Sequence, residues 1–452
     1  MRHPKILLIA TLAAASFALT NGARATEVAF ERDDSLPLVY LNVAVKAGAA
    51  HDPKGKSGLG NFTGEMLLRG TRSRTKQQID LALDQMGARL EVETRSEALI
   101  VRGAVLRSQL DNFLKLVGEI VTEPNFPEQE IRKLKAEIVS GILEELGRDS
   151  SLATRRFTQF LFRDHPYGKP VLGKVKDIES LKRDDVIKQY DALFADANLL
   201  VVGAGDADEG AIKGWAESIG KARSKGNGGI ARAPKPEDAP TRRLQIIDKP
   251  DRTQTQINVG EIGVRMTDKD FFPLYLGNHA FGGGSFSARM MVEIRVKRGW
   301  SYGANSYFRQ GLQPRSWQMH LFPAEKDTAA ALAYTLQMTD DLKTRGVTTE
   351  EFDFAQKSLV NSAGFMFNTP KKRVENKLLE RTLELPDGFM RAYGPELQKV
   401  QPAQVNDALK KFLRPDRLSI SVLGTAKNLK EPLAKAAGVP LEKVEVTPYT
   451  QE

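Results

Sequence analysis

The stretch Ser57-Gly58-Leu59-Gly60-Asn61-Phe62-Thr63-Gly64-Glu65-Met66-Leu67-Leu68-Arg69-Gly70-Thr71 decides how this chain is read. It carries one acid, Glu65, and no histidine. Before it runs an alternating apolar segment, Leu38 to Val45; well after it comes a helical segment, Ile131 to Glu145. The five histidines of the chain are His3, His51, His165, His279 and His320. No two of them are three or four apart, the spacing that sets two imidazoles on one helical face.

Outward from this stretch the chain repeats itself. The strand Leu38 to Val45 corresponds to Thr255-Gln256-Ile257-Asn258-Val259, with Asn42 matching Asn258 at an offset of 216. The helix opening Pro127-Glu128-Gln129-Glu130-Ile131 corresponds to Thr348-Thr349-Glu350-Glu351-Phe352 at an offset of 221, each with acids where the helix dipole favours them. The strand Leu199 to Gly203 corresponds to Leu418 to Val422 at 219. Three matches at nearly one offset indicate duplication. Between them, period-2 stretches (Ala98 to Val105, Trp317 to Phe322) alternate with helix-period stretches (Leu110 to Val121, Ala329 to Leu342). The expected fold is α+β, in two homologous domains of about 200 residues each. The expected boundaries are 26–225 and 242–431, with a Gly, Pro and charge-rich linker over 226–241. A peripheral tail is expected over 432–452, where Leu433 is apolar enough to dock.

The opening stretch resembles the zinc helix of pitrilysin/insulinase-type peptidases, in which an inverted H-x-x-E-H motif lies in a G-L-x-H-x-x-E-H-M-L-x-x-G-T context. In that family the two histidines bind zinc, the glutamate between them activates the bound water, and a glutamate on a later helix completes the site. Here the histidine positions hold Asn61 and Glu65, and the general-base position holds Gly64. The third ligand, about 76 residues after the second histidine in the family, falls on Gly141. A slipped alignment would offer Glu144 or Glu145 as one carboxylate, and it would not supply a histidine. No zinc is expected in this chain at the usual site; a non-local site using Glu65 and His51 is the remaining metal-binding alternative.

The second half keeps what the first has lost. Gly282-Gly283-Gly284-Ser285-Phe286-Ser287-Ala288-Arg289 is followed by Glu293-Ile294-Arg295-Val296-Lys297-Arg298-Gly299-Trp300-Ser301-Tyr302. This resembles the family's second-domain signature, a glycine-rich turn, a helix and an R-x-K-x-G-x-x-Y-like segment with Arg and Tyr seven apart. By that resemblance Arg295 and Tyr302 touch the substrate backbone and help hold the tetrahedral oxygen, as fixed donors suited to a developing oxyanion. From spacing alone, a helix-end salt bridge and an ordinary strand aromatic are the better reading of the pair; the resemblance across some twenty residues raises the functional one above it. The triple glycine lacks a following lysine for phosphate binding, and is read as a tight strand-to-helix turn with close backbone approach. Ser285 and Ser287 have no nearby His and Asp for nucleophilic catalysis. His165, in His165-Pro166-Tyr167-Gly168-Lys169-Pro170, reads as a structural turn residue.

Composition narrows the setting. Arg2 and Lys5 precede an apolar run from Ile6 to Thr20, and Ala23-Arg24-Ala25 offers a cleavage site, so the start reads as a secretory signal. That run is shorter than the roughly 20 residues that span a bilayer. Loss of Arg2, Lys5 and Arg24 lowers the net charge of +9 by three. The remaining cations are scattered among 57 acids with no basic run interleaved with aromatics, which argues against nucleic acid as a partner. With zero cysteines there is no disulfide framework and no lipid-attachment cysteine. The expectation is an exported, periplasmic protein without a membrane segment after signal cleavage. In one branch of the family a chain with the intact zinc motif pairs with a homologue that carries the Arg/Tyr segment. The resemblance therefore implies a non-catalytic subunit of a heterodimeric peptidase acting on peptides, with zinc in the partner. A structural or peptide-binding protein, and an autonomous metallopeptidase with altered ligands, are the alternatives.

Overall fold

The computed structural model describes residues 26–224, 230–284 and 286–451. The secretory-signal reading, part of the linker and Ser285 lie outside the described residues. Eleven strands are described: β1 (Glu27–Arg32), β2 (Leu38–Val45), β3 (Arg89–Thr94), β4 (Leu99–Leu106), β5 (Leu199–Gly205), β6 (Arg243–Asp248), β7 (Gln256–Ile262), β8 (Ala304–Phe308), β9 (Ser316–Leu321), β10 (Ser419–Gly424) and β11 (Glu445–Pro448). They form two sheets, ordered β1-β5-β2-β4-β3 and β11-β6-β10-β7-β9-β8.

Apart from β11 the two orders are the same, and so is the hand of every pairing. The β1–β5 and β6–β10 pairs are parallel, while β2 and β7, at the centre, pair antiparallel on both sides. Register makes the duplication concrete. Asn42 stands opposite Arg102 and Val202, and Asn258 stands opposite His320 and Ser421. The strands β5 and β10 are buried at every residue, because both faces of each sheet are covered.

What covers them exchanges between the halves. The helix Asp149–Phe162 of the first half lays Leu152 and Ala153 against Ile247 and Leu423 of the second sheet. The helix Pro370–Thr382 of the second half lays Val374 and Leu378 against Ile100, Leu200 and Val202 of the first. Each half thus finishes the apolar core of the other.

Helix ends follow local chemistry. Thr348 and Glu351 form the capping box that opens Thr349–Ala363, and Thr75 with Gln78 does the same for Lys76–Met86. Pro127 stands just before Glu128–Gly147, whose first turn carries Glu128 and Glu130. His165 accepts the Tyr167 amide at Nδ1 (3.1 Å), which leaves Nε2 to donate to the Pro234 carbonyl at 2.8 Å. The turn histidine so pins the chain that crosses between the halves.

The stretch from Pro432, expected as a peripheral tail, is built in instead. Pro432 sits inside the helix Ala426–Ala437, Leu433 is fully buried, and β11 extends the second sheet by pairing with β6. The apolar spacing of Leu429 and Leu433 along that helix directs both into the core.

Candidate functional site

The stretch that opened the sequence reading forms the buried helix Leu59–Leu67. Gly58 precedes it at φ +93°, and a Cβ there would lie 2.7 Å from the Leu172 carbonyl oxygen and 2.8 Å from Gly173 Cα. Only glycine fits. Asp52 accepts the Gly58 and Gly60 amides, both at 2.7 Å, and so satisfies two donors at the helix start. Burial pushes its carboxyl up to about 7, against those two bonds and the nearby Lys169 ammonium. Leu59, Phe62, Met66 and Leu67 fill the core beneath. The motif's surroundings are therefore accounted for by folding alone.

At the positions that would carry chemistry the helix is closed. A Cβ on Gly64 would meet Leu99 Cδ1 at 2.8 Å and Val92 Cγ1 at 2.9 Å, so the sheet side chains already fill the space a glutamate would leave by. Asn61 is buried. Glu65 has its pKa raised by burial, with Arg69 pulling it down and Glu137 pushing it up. Arg69, 8 % exposed, reaches across to the helix Glu128–Gly147, gripping Glu137 with both terminal nitrogens (3.2 and 2.5 Å) and approaching Glu130 at 3.5 Å. One turn on from Glu137, Gly141 faces open space. The two helices that would share a cation are thus joined by a guanidinium and carboxylates. These residues do not fit zinc: Glu65 is the one ionisable group left among Asn61, Gly64, Glu65 and Gly141, and it already lies in the field of Arg69. Among the described residues no three His, Asp or Glu side chains are placed to hold a metal ion. His51 is engaged locally, accepting the Gly48 amide at Nδ1 (3.2 Å).

In the second half the structure brings Arg295 and Tyr302 together. The Arg295 guanidinium lies 4.2 Å from the Tyr302 ring centroid and 4.7 Å from that of Phe286. Tyr302 is 75 % exposed, Phe286 62 % and Val296 66 %. A cation held between two outward-facing rings is pre-oriented without an ion pair. The backbone beneath is irregular: His279–Gly283 and Met291–Val296 are wide π-helical turns, a form frequent at functional sites. Glu293 anchors the second of these, accepting from Lys297 (2.6 Å), Arg298 (2.7 Å) and Tyr334 (2.9 Å). Burial works against its charge, yet those three donors hold its pKa at about 2.

The glycine-rich segment differs from the expected strand-to-helix turn, since it ends a helix that begins at Phe271. Close approach is nevertheless what its glycines serve. A Cβ on Gly282 would lie 2.5 Å from Ser306 Oγ, and one on Gly284 would lie 2.9 Å from the His279 carbonyl oxygen. Sequence reading missed two contributors, Phe286 and Glu293. The i, i+4 pair Glu293–Lys297 was visible as a helix-face ion pair; that Phe286 faces Arg295 was not, because nothing local distinguishes an exposed from a buried phenylalanine.

Comparison with known proteins follows the same division. The domain described as Insulinase (Peptidase family M16) matches residues 27–175, and the one described as Peptidase M16 inactive domain matches 180–359. An uncharacterised zinc protease of Rickettsia bellii is 28 % identical over 273 residues, 60 % of this chain and 64 % of that protein, so the match spans less than two thirds of its length. A non-peptidase homolog of Helicobacter pylori is 23 % identical over 88 % of this chain and 92 % of its own. The crystal structure of a peptidase M16 inactive domain from Pseudomonas fluorescens superposes with a TM-score of 0.83 at 23 % identity, covering 88 % of this chain and 95 % of that one. The periplasmic protease PqqL of Escherichia coli gives 0.72 at 12 % identity, covering 91 % of this chain but 49 % of its own. With two M16 domain matches in tandem and the same two-sheet architecture, this chain belongs to the insulinase (M16) family of peptidases and their non-peptidase homologues.

Proposed function

We propose that this chain is the non-catalytic subunit of an exported zinc peptidase, pairing with a homologous chain that holds the metal and supplying Arg295 and Tyr302 to that partner's site. The observation that carries the reading is the contrast in side-chain placement: the guanidinium of Arg295 and the ring of Tyr302 meet at an exposed surface, while a side chain at Gly64 would have to displace Leu99 and Val92. A fixed cation and phenol suit the backbone and the developing oxyanion of a peptide, and neither cleaves a peptide bond alone. Zinc belongs to the partner in this reading, none to this chain. Coverage of half of the PqqL chain supports pairing, since a unit of this size is matched to part of a longer protein of the same fold. The leader-like residues at the start support export, and among the described residues no helix is long and apolar enough to cross a membrane.

The test is reconstitution. The chain alone hydrolyses no peptide; addition of an intact H-x-x-E-H partner produces activity, and Arg295→Ala or Tyr302→Phe lowers kcat by on the order of 100-fold or more. Full activity in both variants rejects the assigned roles. A second reading, peptide holding without catalysis, is favoured by the open edges at β3 and β8, where an extended peptide adds as a further strand. Peptide binding with no stimulation of any zinc partner selects it.

A further inference from the structure

A cleft of 510 Å³ lies between the two halves, and none of Asn61, Gly64, Glu65, Gly141, Arg295 or Tyr302 lines it. The helix Asp149–Phe162 and the turn around Lys169 form one wall; Arg309 and Arg315, from the connection between β8 and β9, form the other. Its charge is one-sided. Four cations line it, Arg155, Lys169, Arg309 and Arg315, against the single carboxylate of Glu145. Glu145 is already bound to Arg155 at 3.0 Å. Lys169 directs its ammonium to the carbonyls of Ala50 (3.1 Å) and Asp52 (2.6 Å).

The two arginines of the second half are left over. Arg315 donates through Nη1 to Ser96 Oγ at 2.7 Å and stacks its guanidinium 4.8 Å from the Tyr167 ring, while its Nε is buried with no hydrogen-bond partner. The nearby Glu97 carboxylate accepts from the Tyr167 hydroxyl and the Leu312 amide, and its field favours the Arg315 charge without an ion-pair contact. Arg309 is exposed, and its guanidinium meets the Tyr307 ring at 5.4 Å. Neither arginine has a carboxylate within ion-pair distance among the described residues. Burial lowers the pKa of Arg315, the fields of Glu97 and Tyr167 oppose that, and the field of Arg309 adds to it, so the two guanidinium groups of one cleft are near enough to feel each other. Such an arrangement is relieved by an anion, and guanidinium forks match the two oxygens of a carboxylate.

We propose that this interdomain cleft is a carboxylate-binding site, in which Arg315 and Arg309 grip the C-terminal carboxylate or an acidic side chain of a peptide held between the halves. The inference deepens the peptide-handling reading above and rests on it. Its chemistry agrees with the chain's net positive charge, which raises the local concentration of anionic peptides.

Calorimetric titration of the purified chain tests it with four probes: an acetylated alanine-leucine pentapeptide with a free C-terminal acid, the same peptide amidated, the amidated peptide with a central glutamate, and inorganic phosphate. At least one carboxylate-bearing peptide binds on the order of ten-fold tighter than the neutral amide, and the stronger of the two identifies the source of the carboxylate. Arg309→Gln, at an exposed residue whose loss leaves the thermal midpoint unchanged, removes most of that preference; Arg309→Lys retains part of it. The proposal is overturned if the neutral amide binds as tightly as both acids, if phosphate binds and no peptide does, or if neither Arg309→Gln nor Arg315→Gln alters the preference. No zinc partner enters this experiment, so its failure leaves the pairing reading standing. Conversely, a failed reconstitution with carboxylate preference intact removes the pairing alone.

Discussion

Strands β3 and β8 close the same edge of two equivalent sheets, yet the segments leading into them have diverged. Before β3 runs a regular helix, Lys76–Met86, opened by a capping box, closed by Gly87 in the left-handed conformation, and burying Ile79 and Met86. Before β8 the chain forms the π-helical turn Met291–Val296, held by Glu293, in which the half-buried Arg295 sets its guanidinium against the exposed ring of Tyr302. Regular structure with a filled core is what folding selects by itself. The irregular turn gives up backbone regularity and exposes large side chains, a combination that folding does not require. Duplication thus left one half with a scaffold resembling a catalytic helix and the other with a presented pair of side chains.

The exchanged helices carry a large expected loss in both halves. Leu152→Ala and Leu378→Ala each remove a fully buried side chain from the core of the opposite half, and each costs about 2–5 kcal/mol. Chemical denaturation measures both; near-equal losses support reciprocal packing, and a small loss at either site breaks the symmetry. Smaller is the contrast within the former motif. Gly64→Glu forces Leu99 and Val92 apart and costs about 1–3 kcal/mol, whereas Gly141→Glu enters open space and stays within about 0.5 kcal/mol. Equal midpoints for the two variants would show that the helix is not closed.

The effects of pH have opposite sign in the two halves. Glu293 is held at about 2, below its unfolded value of 4.5, so the folded chain binds that proton more weakly. Its stabilisation is full above pH 4.5 and is lost as pH falls toward 2. Glu65 has a raised pKa, so its contribution is full below 4.5 and declines as pH rises past it. Thermal midpoints followed against pH should therefore show Glu293→Gln weaker than the parent near neutrality with the two converging in acid. Glu65→Gln should lack the decline on going from acid to neutral pH. The same sign for both variants would overturn this account.

Much of the fold was legible because duplication writes the same periodicities twice. The offset between Asn42 and Asn258, 216, matches the registered positions of two sheets, and every strand quoted from alternation lies in a strand of the structure to within a residue or two at its ends. The failures share a cause. Pro432 to the C-terminus read as a tail because a proline and scattered charges are local signals, whereas the burial of Leu433 depends on a partner surface far away in sequence.

For the site, the sequence by itself determined which chemical groups are present: no histidine pair, glycine where a base would stand, and an arginine and a tyrosine seven residues apart. Identity fixes chemistry because no packing can supply a missing imidazole or carboxylate. Only the tertiary structure decided what those groups face. It set Arg295 between Tyr302 and Phe286, turned Arg69 toward Glu137 across two helices, and gathered Arg309 and Arg315 opposite a helix of the other half. These contacts join residues that periodicity treats as independent, since the period of a helix or strand tells which face is buried but not what it is buried against.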